Sequence, residues 1–346
     1  GEITMEIEKS NVNIKFTLVI KYIAMAVIIG IIVGIVDTIF GRGLLAISDF
    51  RTANYKYLIP FLPMAGLFIV WMYSYFSKVS LKGMTLVFEA GQNKRDSIPM
   101  ALVPLVMIGT WITHLFGGSA GREGVAVQIG ATLSHYMGRK LKTPDNSRIM
   151  LITGMAAGFG GLFQTPLAAT FFAMEVIVAG YMDYQALLPA ITAAFVASFT
   201  SHSLGLEKFA VELNETINMS DAKTVIIIIG LAFGIVGRIF SYLLQLLKKI
   251  MAEKIVNPYL RIGLVSIPLA IILLLLWQGR YSGLGTNLIL NAFNNGEIFQ
   301  VDWFLKLLLT VLTLSIGFQG GEVTPLFSIG ASLGIILGSF LGISPM

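Results

Sequence analysis

Apolar runs of helix-compatible length recur from Phe16 to Leu341, and between Phe16 and Ile47 only Lys21, Asp37 and Arg42 carry charge. In lipid, a chain can satisfy its backbone only as helices or as a closed barrel. Alternating ten-residue strands are absent, so the pattern selects helices. With 55% hydrophobic and 12% charged residues among 346, too little polar surface remains to cover a soluble fold of this size. The sequence reads as an all-α integral membrane protein.

The formal net charge of +5 comes from basic residues clustered between apolar runs, which read as topology signals and not as a nucleic-acid surface. Arg139, Lys140, Lys142 and Arg148 form one cluster and Lys248, Lys249, Lys254 and Arg261 another, both expected on the cytoplasmic side. The absence of cysteine excludes disulfides and thiolate metal sites. His114, His135 and His202 have no helical ligand spacing, so no metal and no cofactor are expected. No nucleophile–base pair stands out, and an enzyme is not expected.

Apolar segments fall at Phe16–Ile47 (interrupted near Gly41 and Gly43), Tyr57–Phe76, Ile98–Phe116, Gly124–Gly138, Ile149–Ile177 and Tyr184–Leu204. Beyond a polar interval they resume at Thr224–Leu247, Leu260–Trp277, Trp303–Ile316 and Pro325–Leu341. Several are shorter than the ~20 residues that cross a bilayer, and short interrupted segments in two halves point to a transporter-type fold.

The halves superpose at a single offset of 200 residues. Ile129–Leu133 (IGATL) lies on Ile329–Leu333 (IGASL), and Gly117, Gly121 and Gly138 lie on Gly317, Gly321 and Gly338. Gly30, Gly34, Ile35, Val36, Ile39 and Phe40 lie on Gly230, Gly234, Ile235, Val236, Ile239 and Phe240. One register across about a hundred residues favours duplication over chance Gly-x-x-x-Gly packing patterns. The unequal basic residues of corresponding ends make the repeats inverted. The expected organisation is a first repeat over 1–205, a connecting segment over 206–221 and a second repeat over 222–346. The second repeat lacks roughly 55 to 60 residues that the first possesses, judged from the offset.

The chemistry concentrates at the breaks. In Gly117–Leu133 (GGSAGREGVAVQIGATL), Arg122 and Glu123 stand between glycines inside an apolar region, and ionisable groups at membrane depth mark function. A helix beginning near Glu123 offers unpaired N–H groups and the positive end of its dipole to an anion, with Gly121 and Gly124 permitting close approach. When ionised, the Glu123 carboxylate can occupy the anion position itself, which links protonation to anion entry. Lys82-Gly83-Met84-Thr85 and Gly320-Gly321-Glu322-Val323-Thr324-Pro325 are further candidate helix starts, the proline suiting a first turn. Three such starts are expected to converge on one midplane site.

These motifs resemble the CLC family of anion channels and anion/proton antiporters. Gly121-Arg122-Glu123-Gly124 followed by Val127-Gln128-Ile129-Gly130 is similar to its GREG-x-x-VQIG signature, and Phe163-Gln164-Thr165-Pro166-Leu167-Ala168 to its F-x-A-P-L-A element. Gly320–Pro325 corresponds to its second-half GG-x-F-x-P, with Val323 at the phenylalanine. The resemblance implies a CLC-type inverted-repeat bundle of tilted and broken helices. It also implies a homodimer with one anion pathway per subunit and Glu123 as the gating glutamate.

Met84 at the serine of the chloride-type GSGIP, Val125 after GREG, and Glu322 with Thr324 are similar to the bacterial fluoride/proton-antiporter branch. Val176 falls where chloride exchangers carry their proton glutamate, and the family's pore tyrosine lies beyond the part of the family pattern that this sequence covers. The resemblance therefore implies fluoride export in exchange for protons across a bacterial inner membrane. It implies Glu123 as the gate and proton-transfer residue, with Gly83, Met84, Thr85, Gly121, Arg122, Gly124, Gly321, Val323 and Thr324 as the expected anion contacts. Phe88, through its positive ring edge, and Glu322 are accessory candidates. The expected partners are fluoride, protons, the bilayer and a second copy, with no nucleic acid. A chloride channel or chloride/proton exchanger, and a non-transporting membrane scaffold, stay open as alternatives.

Overall fold

The computed structural model describes residues 2–143, 147–211 and 219–342. Residues 212–218 of the polar connecting segment and the last residues of the second repeat lie outside the described ones. The chain is a succession of helices: α1 (Glu2–Leu58), α2 (Leu62–Phe76), α3 (Met84–Gly91), α4 (Leu102–Leu115), α5 (Glu123–Lys140), α6 (Arg148–Phe163), α7 (Pro166–Val176) and α8 (Leu187–Ser203). There follow α9 (Met219–Lys254), α10 (Pro258–Leu275), α11 (Thr286–Phe293), α12 (Asp302–Ser315) and α13 (Val323–Phe340). The only β pairing among the described residues consists of isolated bridges. The all-α class is therefore observed, and five helical stretches are long and apolar enough to cross a membrane.

Two boundaries differ from the sequence expectation. The helix is not interrupted at Gly41 and Gly43, and the departure from helical geometry comes later, at Asn54. The glycines serve packing instead, Gly41 lying against Leu206 and Leu162 and Gly43 against the ring of Trp111. Conversely, the apolar stretch from Ile149 to Ile177 is two helices. Gln164 takes a left-handed φ of +56° at the end of α6, and Pro166 opens α7, a stop and start that proline chemistry dictates. The eight-residue α11 was not anticipated, being shorter than any apolar segment singled out.

The chain divides into two units. One gathers residues up to Arg42, Val79–Pro104 and Ala126–Lys208. Here α6 packs on α7 and α8, with Ala26, Ile29, Val33, Ala157, Ala193 and Ala197 in the core. Such small residues allow the close helix approach typical of membrane packing. At Gly130, Gly154 and Gly158 the backbones of α5 and α6 touch so closely that any Cβ would overlap the facing backbone.

The other unit comprises Gly43–Lys78, Leu105–Val125 and the chain from Phe209 onward. Within it α10 packs on α2, and α12 packs on α9 and α13. Phe240, Leu244, Leu307, Val311, Leu314 and Ile329 form its core. The loop that ends in Arg122 and Glu123 belongs to this unit.

Candidate anion gate

The segment from Gly117 to Gly121 leaves α4 as extended backbone, and nearly every polar group in it has a partner. The N–H of Gly118 donates to Thr113 O at 2.8 Å, and that of Ala120 to Gly283 O at 3.2 Å. The N–H of Ser119 donates to the Thr313 hydroxyl at 3.2 Å. Gly283 N–H donates back to Gly118 O at 2.9 Å. Gly121 and Gly321 exchange both backbone hydrogen bonds, at 2.6 and 2.7 Å. An extended segment buried at this depth is tolerated only with its backbone satisfied by protein.

The loop delivers Glu123 to the start of α5. The residue is fully buried, and its Oε2 accepts a hydrogen bond from the N–H of Arg122 at 3.0 Å. Its Oε1 is buried with no hydrogen-bond partner among the described residues. A Cβ added to Gly321 would stand 2.9 Å from Glu123 N, 3.0 Å from Gly124 N and 3.0 Å from Glu123 Oε2. The carboxylate thus fills a small space edged by the first N–H groups of α5 and the first turn of α13. Unpaired N–H groups at a helix start are the donors that suit an anion, and the Glu123 carboxyl group fills the space beside them.

Thr324 is buried, and its hydroxyl has no hydrogen-bond partner among the described residues. Val323 begins α13, with Glu322 as its N-cap residue. The Glu322 side chain turns away to Lys248, whose Nζ is 3.6 Å from Oε1. Both side chains are about half exposed, 50% and 45%, so the pair contributes little to stability. Arg122, next to Glu123 in the chain, is also buried.

Gly83, Met84, Thr85 and Phe88 belong to the other unit. Gly83 caps the start of α3 with φ +51° and ψ −124°, a region open to glycine and strained for other residues. Met84 and Phe88 are half-buried and Thr85 is exposed. A Cβ on Gly83 would meet Gln128 Oε1 at 3.3 Å.

A family model described as voltage gated chloride channel matches residues 65–345, most of the chain. The chain belongs to the CLC family. It is 32% identical over 93% of its length to a "Chloride/fluoride channel protein" of Pseudomonas syringae pv. tomato, covering 72% of that protein. It is 26% identical over 91% of its length to the "H(+)/Cl(-) exchange transporter ClcA" of Yersinia pestis, covering 70% of it. A crystal structure of a CLC-type fluoride/proton antiporter superposes with a TM-score of 0.91 at 49% identity, covering 93% of this chain and 82% of that one.

In this CLC chain, sequence reasoning missed three buried polar groups, Gln128 in one unit and Ser119 and Lys306 in the other. Gln128 was part of a quoted signature without a role, yet its buried Oε1 faces Gly83 with no hydrogen-bond partner among the described residues. Ser119 carries no signal in the sequence, and its buried hydroxyl meets Thr310 and Lys306 only in the fold. Lys306 was overlooked because a single lysine near the start of an apolar helix reads as a boundary residue, and its burial shows only in the fold. Val176 ends α7 and offers no titratable group.

Proposed function

We propose that the protein is a fluoride/proton antiporter that exports fluoride from a bacterial cytoplasm across the inner membrane. The observation that carries this reading is the fully buried Glu123 carboxyl group, which accepts the N–H of Arg122 at the start of α5 and lies, with the N–H groups of Glu123 and Gly124, against Gly321. A carboxylate in that position competes with an arriving anion for the same donors. On protonation it loses its charge and most of its hold on them, so it swings out with its proton as fluoride enters. Fluoride would contact the backbone at Gly121, Arg122, Gly124, Gly321, Val323 and Thr324. The assignment of Gly83, Met84, Thr85 and Phe88 to anion contact rests on the family resemblance. Glu322, paired with Lys248, has an accessory role at most.

The likeness to a fluoride/proton antiporter at 49% identity supports fluoride over chloride as the cargo. The repeats 1–205 and 222–346, joined by 206–221, are proposed to be inverted. Their single register and opposed basic clusters support this. A homodimer is proposed by analogy with the family, and no catalytic activity is proposed. The test is anion efflux from proteoliposomes loaded with fluoride or chloride while external pH is followed. Fluoride efflux coupled to proton uptake is expected, abolished or uncoupled in Glu123→Gln. Chloride flux equal to fluoride flux would favour a chloride channel or exchanger. An unchanged rate and coupling in Glu123→Gln would remove the proposed role of the glutamate.

A further inference from the structure

Lys306, on α12, is fully buried, and the exchange scheme above makes no use of it. Its ammonium has three donors, and each has an acceptor. They are Ser119 Oγ at 2.8 Å, Tyr281 O at 3.0 Å and Gly283 O at 2.7 Å. All three oxygens are neutral. The nearby carboxylate, Asp302, is engaged elsewhere, with Arg280 at 2.7 and 3.0 Å, Tyr281 OH at 2.7 Å and Phe299 N–H at 2.9 Å. A buried ammonium is costly unless its surroundings satisfy it completely, and a methionine would fill similar space without that cost.

The acceptors lie on two segments joined by an isolated bridge between Ser119 and Gly283. Ser119 is in the loop that delivers Glu123, and its hydroxyl also bonds Thr310 at 2.8 Å. Gly283 O already receives the N–H of Ala120, and Gly283 N–H reaches Gly118 O. The ammonium therefore ties the gate loop to the 281–283 segment and both to α12. At the repeat offset of 200, Lys306 lies on Val106, which is buried and apolar. The gate loop is thus held by an ammonium from the second repeat, while the matching position in the first repeat carries no charge to hold residues 317–321.

We infer that Lys306 is a positioning residue of the gate, its ammonium fixing the backbone of Ser119–Gly121 so that only the Glu123 side chain moves during exchange. This rests on the antiporter reading above. Strict exchange requires carboxylate and anion to exclude each other from one small space, and that exclusion fails if the loop carrying the carboxylate can shift. A loosened supporting shell degrades such placement even when the site residues are all present.

The experiment compares fluoride efflux and proton uptake in proteoliposomes of the wild type, Lys306→Met and Ser119→Ala, with thermal unfolding measured alongside. In Lys306→Met the fluoride moved per proton should rise roughly twofold or more as exchange slips, since the support shell is loosened. Ser119→Ala, which removes one acceptor and keeps the lysine, should shift the ratio the same way by less. A purely structural lysine would lower the amount of folded protein and leave the ratio unchanged. A wild-type ratio in a folded Lys306→Met overturns the inference. If that variant does not fold, a wild-type ratio in Ser119→Ala overturns it. A wild type that moves fluoride without protons would instead overturn the antiporter reading itself.

Discussion

Gly121 and Gly321, 200 residues apart and equivalent in the repeat register, bond to each other through both N–H and both C=O groups, at 2.6 and 2.7 Å. The same reciprocity extends outward. The N–H of Ser119 donates to the Thr313 hydroxyl at 3.2 Å, and the N–H of Gln319 donates to the Thr113 hydroxyl, also at 3.2 Å. Three pairs of positions related by one offset thus meet as a local two-fold would bring them together. Two residues further on the chemistry departs from symmetry, with Glu123 facing no acidic counterpart at Val323. A symmetric backbone frame carries asymmetric side chains.

The two threonines test this division. Thr313→Val leaves the buried N–H of Ser119 without its acceptor and Thr113→Val the part-buried N–H of Gln319, at a cost of about 1–3 kcal/mol. Thermal unfolding should fall to a similar extent in both. Fluoride transport should suffer more in Thr313→Val, because Thr313 supports the loop of Glu123. Equal transport losses would mean that the frame, and not the gate loop, is what the threonines serve.

Gly321→Ala addresses the space the carboxylate fills. Its methyl would stand 2.9 to 3.0 Å from Glu123 N, Gly124 N and Glu123 Oε2, tighter than ordinary contact. Overpacking of this kind costs about 1–3 kcal/mol, and here it falls on the proposed anion position. A rate loss of roughly tenfold or more is expected, each 1.4 kcal/mol being about a factor of ten. Fluoride efflux near the wild-type rate from a folded Gly321→Ala would place the anion elsewhere.

Much of this was legible in the sequence because helix breaks in apolar chain are costly and need glycine or proline to make them. Gly121, Gly124, Gly321 and Pro325 announced the two starts, and Glu123 stood out as a carboxylate in apolar chain, which the fold buries at the start of α5. What escaped depends on contacts between distant segments. Lys306 meets Ser119 across 187 positions, and Gln128 is noteworthy only because Gly83 lies against it. The split at Gln164 was missed because length and hydropathy favoured one span over the punctuation of Pro166. Glu322 stands in the sequence as an accessory carboxylate at a glycine-flanked break, and its side chain is half exposed and paired with Lys248.

Glu89, on the short helix α3, gives a pH prediction. The hydrogen bonds from Arg95 and Lys82, at 3.0 and 3.1 Å, hold its carboxyl below the ordinary value of 4.5. A carboxylate depressed in the folded state stabilises above its unfolded value and loses that contribution as pH falls through the folded one. Glu89→Gln should therefore unfold at a slightly lower temperature than the wild type at neutral pH. The difference should close as pH drops below 4.5, and shrink in high salt because the groups are partly exposed. A gap that persists unchanged in acid would assign Glu89 a role other than charge pairing.

Gly83 separates two reasons for a glycine at a helix start. Its φ of +51° with ψ −124° strains any residue with a Cβ by about 1–3 kcal/mol. A Cβ there would also press on Gln128 Oε1 at 3.3 Å, a neighbour that can yield. Gly83→Ala should lower the unfolding temperature and slow fluoride efflux by shifting the first turn of α3. Adding Gln128→Ala removes the contact and leaves the backbone strain, so the double variant should recover only the smaller share of the stability lost. The coupling between the two changes, read from a double-mutant cycle, measures the contact alone. Full recovery in the double variant would mean that crowding against Gln128, and not the backbone conformation, is what requires glycine at position 83.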